Sequence, residues 1–332
     1  MRNIFYLFIL ILCACSHSDH RILVKNSGEA QGSYFHIQYL SEHGENYRLQ
    51  IDSIFLEIDS SLSIYKDYSL ISKLNKGDDV RTDTLFNTVF MVAKKVFLES
   101  EGKFDCSIYP LVKAWGFYDN QFVDSMIIDS LKFRNILQFV GFEKVSLIAD
   151  SLVLPKGMSL DFNSIAQGYT VDVIAQFLES KGDSNYLVEV GGELLAKGKN
   201  ADGNIWRVGV DKPADNINNN DRFLFILDLE NKALATSGNY RKFYEKDGVK
   251  YAHTIDPFTA FPANNRLLSV SVIHDNCMLA DAYATAFMAM GVRKSKQFAK
   301  LHPEIEVYLV YTGKDGAWET FISSAMQNRM IN

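Results

Sequence analysis

The order in which hydrophobic periodicity changes along this chain is the strongest constraint on its fold. Ile51, Ile54, Phe55, Ile58 and Leu62 recur at helical spacing and predict an amphipathic helix over about residues 46–62. Leu85, Val89, Val92 and Val96 repeat the pattern in a second long helix, ended by Gly102. Residues 130–139 fit a third, 164–180 a fourth, and the small-residue stretch 279–290 a fifth. Between them lie segments of strand composition: "GSYFHIQYL" near the start, short strands at about 145–148 and 152–154, then "YLVEV", "WRVGV", "FLFILDL", "LLSVSVI" and "EVYLVY". Helices and strands follow one another without the regular alternation of a doubly wound sheet, so the expected class is α+β, with mixed sheets and packed helices. The Asn-rich "DNINNND" reads as a surface loop. No linker divides the chain and no repeat period is present.

Composition narrows the partners. Of 332 residues, 47% are hydrophobic and 13% aromatic, enough for a sizeable core, and the net charge of −6 argues against a nucleic-acid partner. The N-terminus differs from the rest. "MRNIFYLFILILCACS" has one Arg, an apolar run too short to span a bilayer, then small residues and Cys. "LCAC" looks like a bacterial lipobox with Cys15 acylated. Cys13 is the alternative, and a plain signal peptide with incidental cysteines is another. The expected organisation is a lipoprotein signal peptide over 1–14, a polar tether over 15–28 and one domain over 29–332. Such a protein is anchored to the membrane by lipid in the bacterial cell envelope, facing the periplasm, with the inner membrane preferred over the outer. Cys106 and Cys277 make no metal motif and are expected to be free.

The stretch "DFNSIAQGYTVD" (161–172) carries the first chemistry. It passes from a strand end into a helix through Asp161, Asn163, Ser164, Ala166 and Gly168, all polar or small. Ser164 is expected to cap the helix, whose unpaired N–H groups and positive dipole end would seat a phosphate. Most capped helices bind nothing, and other stretches add weight. "YLVEVGGELLAKG" puts two glycines after a buried strand, "ATSGNY" is a small hydroxyl-rich turn, and "HTIDP" follows. In "LADAYATA", Asp281 and Thr285 lie four apart on one helical face. A carboxylate and a hydroxyl so placed are hard oxygen ligands suited to Mg²⁺; the bland reading is a solvated helix face, against which the surrounding alanines argue.

Taken together, "LSIYKDYSLISKLN", "PLVKAWGF", "DFNSIAQGYTVD", "VEVGGELLAKG", "WRVGVDKP", "ATSGNY", "HTIDPFTAFP" and "LADAYATAFMAMG" resemble, in order and spacing, the ApbE family of FAD:protein FMN transferases. The match runs from about Gly32 to Gly291. It departs from the family pattern at Gln31–Ser33 (usually Met-Gly-Thr), at Asn163 (Gly or Ser), at Gln167 (Lys or Glu) and at Ala260 (Gly).

The resemblance implies an ApbE-like flavin transferase fold with FAD in a cleft. FAD is the substrate, and its FMN half moves to a Thr or Ser hydroxyl of an exported acceptor with release of AMP. By position, Asp281 and Thr285 match Mg²⁺ ligands, with a backbone oxygen near Ser164–Ala166 completing the set. Gln31, Tyr65, Asp161, Gln167 and Ile255 match flavin contacts, as does the segment Asp105, Cys106, Ser107. Tyr65 could stack on the isoalloxazine. His253 matches a histidine near the phosphates and titrates in the range for taking up a hydroxyl proton. The implied acceptors are flavin-bearing subunits of Na⁺-pumping NADH:quinone oxidoreductase or Rnf-type complexes. Two rivals share the motifs: a Mg²⁺-dependent FAD pyrophosphatase, in which water replaces the acceptor, and a flavin carrier that turns nothing over.

Overall fold

The computed structural model describes residues 21–118, 130–213, 222–239, 243–246, 249–252, 254–263 and 265–331. The N-terminal segment with Cys13 and Cys15, the segment 215–221 expected as a loop, His253 and the tail end of the "ATSGNY" motif lie outside the described residues.

The chain opens with the hairpin β1 (Ile22–Ala30) and β2 (Ser33–Ser41). The tether expected up to residue 28 is therefore a strand from Ile22 onward. Its polar sequence is that of an outer strand, with little more than Val24 and Asn26 buried. Helices α1 (Arg48–Leu62), α2 (Leu70–Lys76), α3 (Thr84–Glu99) and α4 (Tyr109–Ala114) follow. Then come α5 (Ser130–Leu137), the small hairpin β3 (Ser146–Ile148) and β4 (Ser151–Val153), and α6 (Ala166–Ser180). Strands β5 (Tyr186–Val190), β6 (Glu193–Lys197), β7 (Trp206–Asp211), β8 (Phe223–Leu229) and β9 (Lys232–Gly238) come next, then the pair β10 (Phe243–Lys246) and β11 (Val249–Ala252). Last are β12 (Leu267–His274), α7 (Cys277–Leu301), β13 (Glu306–Thr312), β14 (Trp318–Ile322), α8 (Ser324–Gln327) and β15 (Met330–Ile331).

Eight strands form the main sheet in the order β1-β2-β5-β6-β9-β12-β13-β14. The α+β class expected from the sequence holds, although every ladder between named strands is antiparallel, not mixed. The central strands bury both faces, and alternate residues point to different cores. Ala233, Ala235, Val270, Val272, Val307 and Leu309 face the helical layer, where α6 and α7 pack on the sheet with α1 and α3 outside them. Leu234, Ile273, Tyr308 and Val310 face a second core, closed by the three-stranded sheet β15-β8-β7 through Val208, Phe225 and Leu227. A third, small core gathers Leu111, Trp115, Phe133, Val140, Ile255 and Ala260 beneath the loop 254–263.

Helix α7 is one run of 25 residues broken at Gly291 (φ 73°, ψ 169°). Asn265 reads the break: its Nδ2 donates to Met288 O at 2.7 Å while its Oδ1 accepts Leu267 N–H at 2.9 Å. The limb before the break carries the alanines, which let it lie close against α6 and the sheet. Among the described residues no helix is long and apolar enough to cross a membrane.

Candidate functional site

Five backbone segments converge where α6 and α7 begin. The first is the start of α6. It does not follow the expected capping: the helix begins at Ala166, its cap position is Ile165, and Ser164 lies in the turn before it without a capping hydrogen bond. Ala166 N–H instead donates to Phe162 O at 2.8 Å and Gly168 N–H to Asp281 Oδ2 at 3.1 Å. Two of the helix's initial donors are thus satisfied inside the protein, which leaves fewer for a phosphate than a bare helix start would offer.

The second segment is the first limb of α7. Asp281 is 6% exposed and points at the start of α6. Burial pushes its carboxyl up to about 7, opposed by the Gly168 N–H and reinforced by the charge of Asp172. One turn on, Thr285 Oγ1 lies 3.4 Å from Ser237 Oγ, so the pair shares a helical face as the spacing predicted. Ser237 belongs to the third segment. The "ATSG" expected as a turn is the end of β9, in register with β12, and Thr236 Oγ1 meets Ser271 Oγ across it at 2.9 Å.

The fourth segment joins two positive-φ turns. Gly191 (φ 68°) donates its N–H to Tyr34 O at 2.9 Å, and a Cβ there would fall 2.5 Å from Gln167 Nε2, so Gln167 lies along bare backbone. Gln31 (φ 52°) sits at the β1–β2 turn, where its Nε2 donates to Thr170 Oγ1 at 2.9 Å. Gln31 and Gln167, distant in sequence, are thereby both brought to the first turns of α6.

The fifth surrounds Asp161. Its carboxylate is buried, accepting Asn163 N–H at 2.8 Å on Oδ1 and the Tyr118 hydroxyl on Oδ2. Burial raises this carboxyl against those two bonds, and raises the Tyr118 phenol as well. Tyr118 stacks on Tyr109 (5.1 Å between centroids) and meets Tyr65 edge-on at 6.1 Å. Tyr65 is 64% exposed and accepts a bond from Asn163 Nδ2 at 3.2 Å. Asn163 thus links the exposed ring to the buried acid. A planar aromatic ligand has a ready surface there. Tyr109 and Tyr118 had no signal in the sequence beyond their aromatic type.

Asp105, Cys106 and Ser107 stand beneath this surface. Asp105 accepts Ser107 N–H (2.7 Å), Ser107 O–H (2.6 Å) and Phe142 N–H (3.2 Å), and burial raises its carboxyl. Cys106 O accepts Asp161 N–H at 2.8 Å. Their polar atoms hold the backbone that carries Asp161. Both folded cysteines are free and buried, and burial pushes their thiols well up. Ile255 is 5% exposed, in the small core with Trp115, whose Nε1–H donates to Ala260 O at 2.9 Å. Ala260 holds the left-handed conformation (φ 68°) in which glycine is commoner. Thr254, which follows His253, reaches Asn239 Oδ1 at 3.4 Å, just past the end of β9.

Among the described residues no three His, Cys, Asp or Glu side chains gather as a metal cluster. A cation at Asp281 and Thr285 would therefore take its other ligands from backbone, substrate or water. That donor set suits Mg²⁺. A buried carboxylate that no Lys or Arg among the described residues neutralises is what such an ion would complete. A cleft of about 470 Å³ between the ends of α3 and α7, lined by Glu99, Lys294 and Phe298, holds none of these residues.

Comparison with known proteins gives the chain its relatives. The ApbE family model matches residues 31–309. An FAD:protein FMN transferase of Vibrio cholerae serotype O1 is 34% identical over 328 residues, 95% of each chain. The solved flavin transferase ApbE from Vibrio cholerae superposes with a TM-score of 0.83 at 31% identity, over 93% of this chain and 99% of the other. The apo flavinyl transferase ApbE of Pseudomonas stutzeri gives 0.83 at 28% identity, over 93% and 97%. The motif order, the antiparallel sheet with its helical layer, and the meeting of α6 with α7 have one common account: this chain is a member of the ApbE family.

Proposed function

We propose that this protein moves FMN from FAD onto a Thr or Ser hydroxyl of an exported acceptor protein, with Mg²⁺, releasing AMP. The observation that carries the reading is Asp281, a buried carboxylate one turn from Thr285 and aimed at the start of α6. The name shared by the relatives supports it.

Breaking a pyrophosphate requires charge neutralisation and in-line positioning more than covalent help from protein. When bound, Mg²⁺ would neutralise the pyrophosphate and orient its oxygens. Asp281 and Thr285 would hold it, with a backbone carbonyl from 164–166. Tyr65, backed by Tyr118 and Tyr109, offers the ring system a face, and Gln31 and Gln167 offer amides beside bare glycine backbone. The acceptor oxygen bonds to the FMN-side phosphorus as the bond from that phosphorus to the bridging oxygen breaks. AMP departs with the bridging oxygen, and the hydroxyl proton passes to His253, a role assigned by family position. We further propose that Cys15 carries the lipid and the domain faces the periplasm, within reach of acceptors such as the flavin-bearing subunits named above.

The test is incubation with FAD, Mg²⁺ and a candidate acceptor, followed by intact mass. The expected product is the acceptor plus FMN less water, with AMP in equal amount, and neither in EDTA. Free FMN and AMP beside an unmodified acceptor would transfer the assignment to hydrolysis, and intact FAD would transfer it to a carrier.

A further inference from the structure

The starts of α6 and α7 are tied to each other in both directions. Asp281 of α7 accepts the Gly168 N–H of α6. One turn further along α6, Asp172 accepts the first two N–H groups of α7, Oδ1 from Cys277 and Oδ2 from Met278, each at 2.9 Å. Asn276 accepts the third, Leu279 N–H, on its side chain at 2.9 Å, and its own N–H donates to His274 Nδ1 at 3.1 Å, while Ala280 N–H makes the helix's first internal bond, to Asn276 O at 3.1 Å. All four donors that a helix start leaves unpaired are accounted for.

A local cap such as Asn276 suffices for most helices. Asp172 is a different device. It is 5% exposed and comes from 105 residues away in the chain. A carboxylate is seldom buried unless both oxygens are used. Here both go to one partner helix, which fixes that helix in rotation and in height. Gly168 completes the clamp, because a Cβ there would fall 2.5 Å from Cys277 O.

We infer that Asp172 is a positioning residue of the cation site. It holds α7 at the level along α6 where Asp281, Thr285 and the backbone of 164–166 can share one ion. This rests on the cation reading given above. Coordination tolerates displacements of only about 0.2 Å, and the partners that orient metal ligands are commonly worth about 10–100-fold in metal affinity.

Four proteins test it, with Mn²⁺ as probe followed by electron paramagnetic resonance and FAD affinity measured separately in EDTA: wild type, Asp281→Asn, Asp172→Asn and Asn276→Ala. Asp172→Asn should weaken Mn²⁺ binding about 10–100-fold, with FAD affinity in EDTA unchanged. Asn276→Ala removes the cap on Leu279 N–H and a side-chain bond to Asp172 but leaves both Asp172 oxygens on Cys277 and Met278 N–H, so it should bind Mn²⁺ as the wild type does. Wild-type Mn²⁺ affinity in Asp172→Asn, or an equal loss in Asn276→Ala, overturns the inference. If Asp281→Asn also binds Mn²⁺ like wild type, the cation site itself is wrong, and the two failures are told apart. Should Asp172→Asn not fold, Asp172→Glu keeps both acceptor oxygens but displaces α7 by a methylene. Wild-type Mn²⁺ affinity in that variant overturns the inference equally.

Discussion

Replacing Gly168 with Ala sets two effects of opposite sign against each other. Intrinsic helix propensity favours the change by about 1 kcal/mol. The packing opposes it. The new Cβ would lie 2.5 Å from Cys277 O, 2.8 Å from Asp281 Cβ and 2.9 Å from Cys277 C. The first and last are backbone atoms that no rotamer change can move, so α6 and α7 must separate by roughly 1 Å to restore van der Waals contact. Such overpacking costs about 1–3 kcal/mol. The same shift stretches the 3.1 Å Gly168–Asp281 bond past useful length, and losing a hydrogen bond to a charged group costs a further ~2 kcal/mol. Packing wins, and the net loss is about 2–4 kcal/mol. At roughly 2 °C per kcal/mol for a domain of this size, Tm should fall by about 4–8 °C. Calorimetry reads the melting shift, and AMP release reads turnover, which should fall with it because Asp281 moves. A Gly168→Ala protein that melts higher than wild type and keeps full turnover would refute the close approach of the two helices.

Asp281→Ala should stay folded but lose nearly all turnover, since charge stabilisation by a bound cation is typically worth several kcal/mol; full turnover of that variant in EDTA would exclude the cation. Tyr118→Phe removes a donor from buried Asp161 and should lower stability by about 1–3 kcal/mol and weaken FAD binding, read by quenching of flavin fluorescence. The ion pair Lys103–Asp256, at 2.7 Å and mostly buried, holds the loop 254–263. Lys103→Met alone should cost about 3 kcal/mol in urea unfolding, and adding Asp256→Asn should recover most of it. Cys15→Ala should move the protein from the membrane to the soluble periplasmic fraction; retention after a carbonate wash, with release by Cys13→Ala, would place the lipid on Cys13.

The elements read best from sequence were those with a long, clean period. The helices α1, α3 and α6 lie where Ile51–Leu62, Leu85–Val96 and the stretch after Ala166 put them, because each buries one apolar stripe, although in α3 the stripe is carried by Phe86, Val89, Phe90, Ala93, Val96 and Phe97, with Leu85 and Val92 only partly buried. β1 leaves little trace in the sequence because an outer strand need bury few side chains, so "KNSGE" carries the composition of a tether. The small hydroxyl residues of "ATSG" suit a turn by composition; here they line the end of β9 where α7 approaches. Of the candidate site, the shared helical face of Asp281 and Thr285 is legible through a spacing of four. Asp172 is not: a carboxylate seven residues into a helix looks like surface until the partner helix is in place. The family position of Asp105 and Ser107 points to ligand contact, and in the fold their polar atoms close on each other and on the backbone near Phe142. Burial and pairing are tertiary facts, and periodicity does not carry them.

The site draws on turns and helices from Gln31 to Thr285, and the sheet beneath it pairs β2 with β5 and β6 with β9 across long intervals of chain. This has a consequence for the order of events at birth. At about 5–20 residues per second of synthesis, Gln31 precedes Thr285 by tens of seconds, and until α7 is present the pair of helix starts does not exist. A nascent or truncated chain that lacks α7 therefore has the residues of the ring face but not the whole surface on which to hold a flavin nucleotide. Capture of the ligand reports a finished molecule, and the nucleotide cannot serve as a template for the early steps of folding.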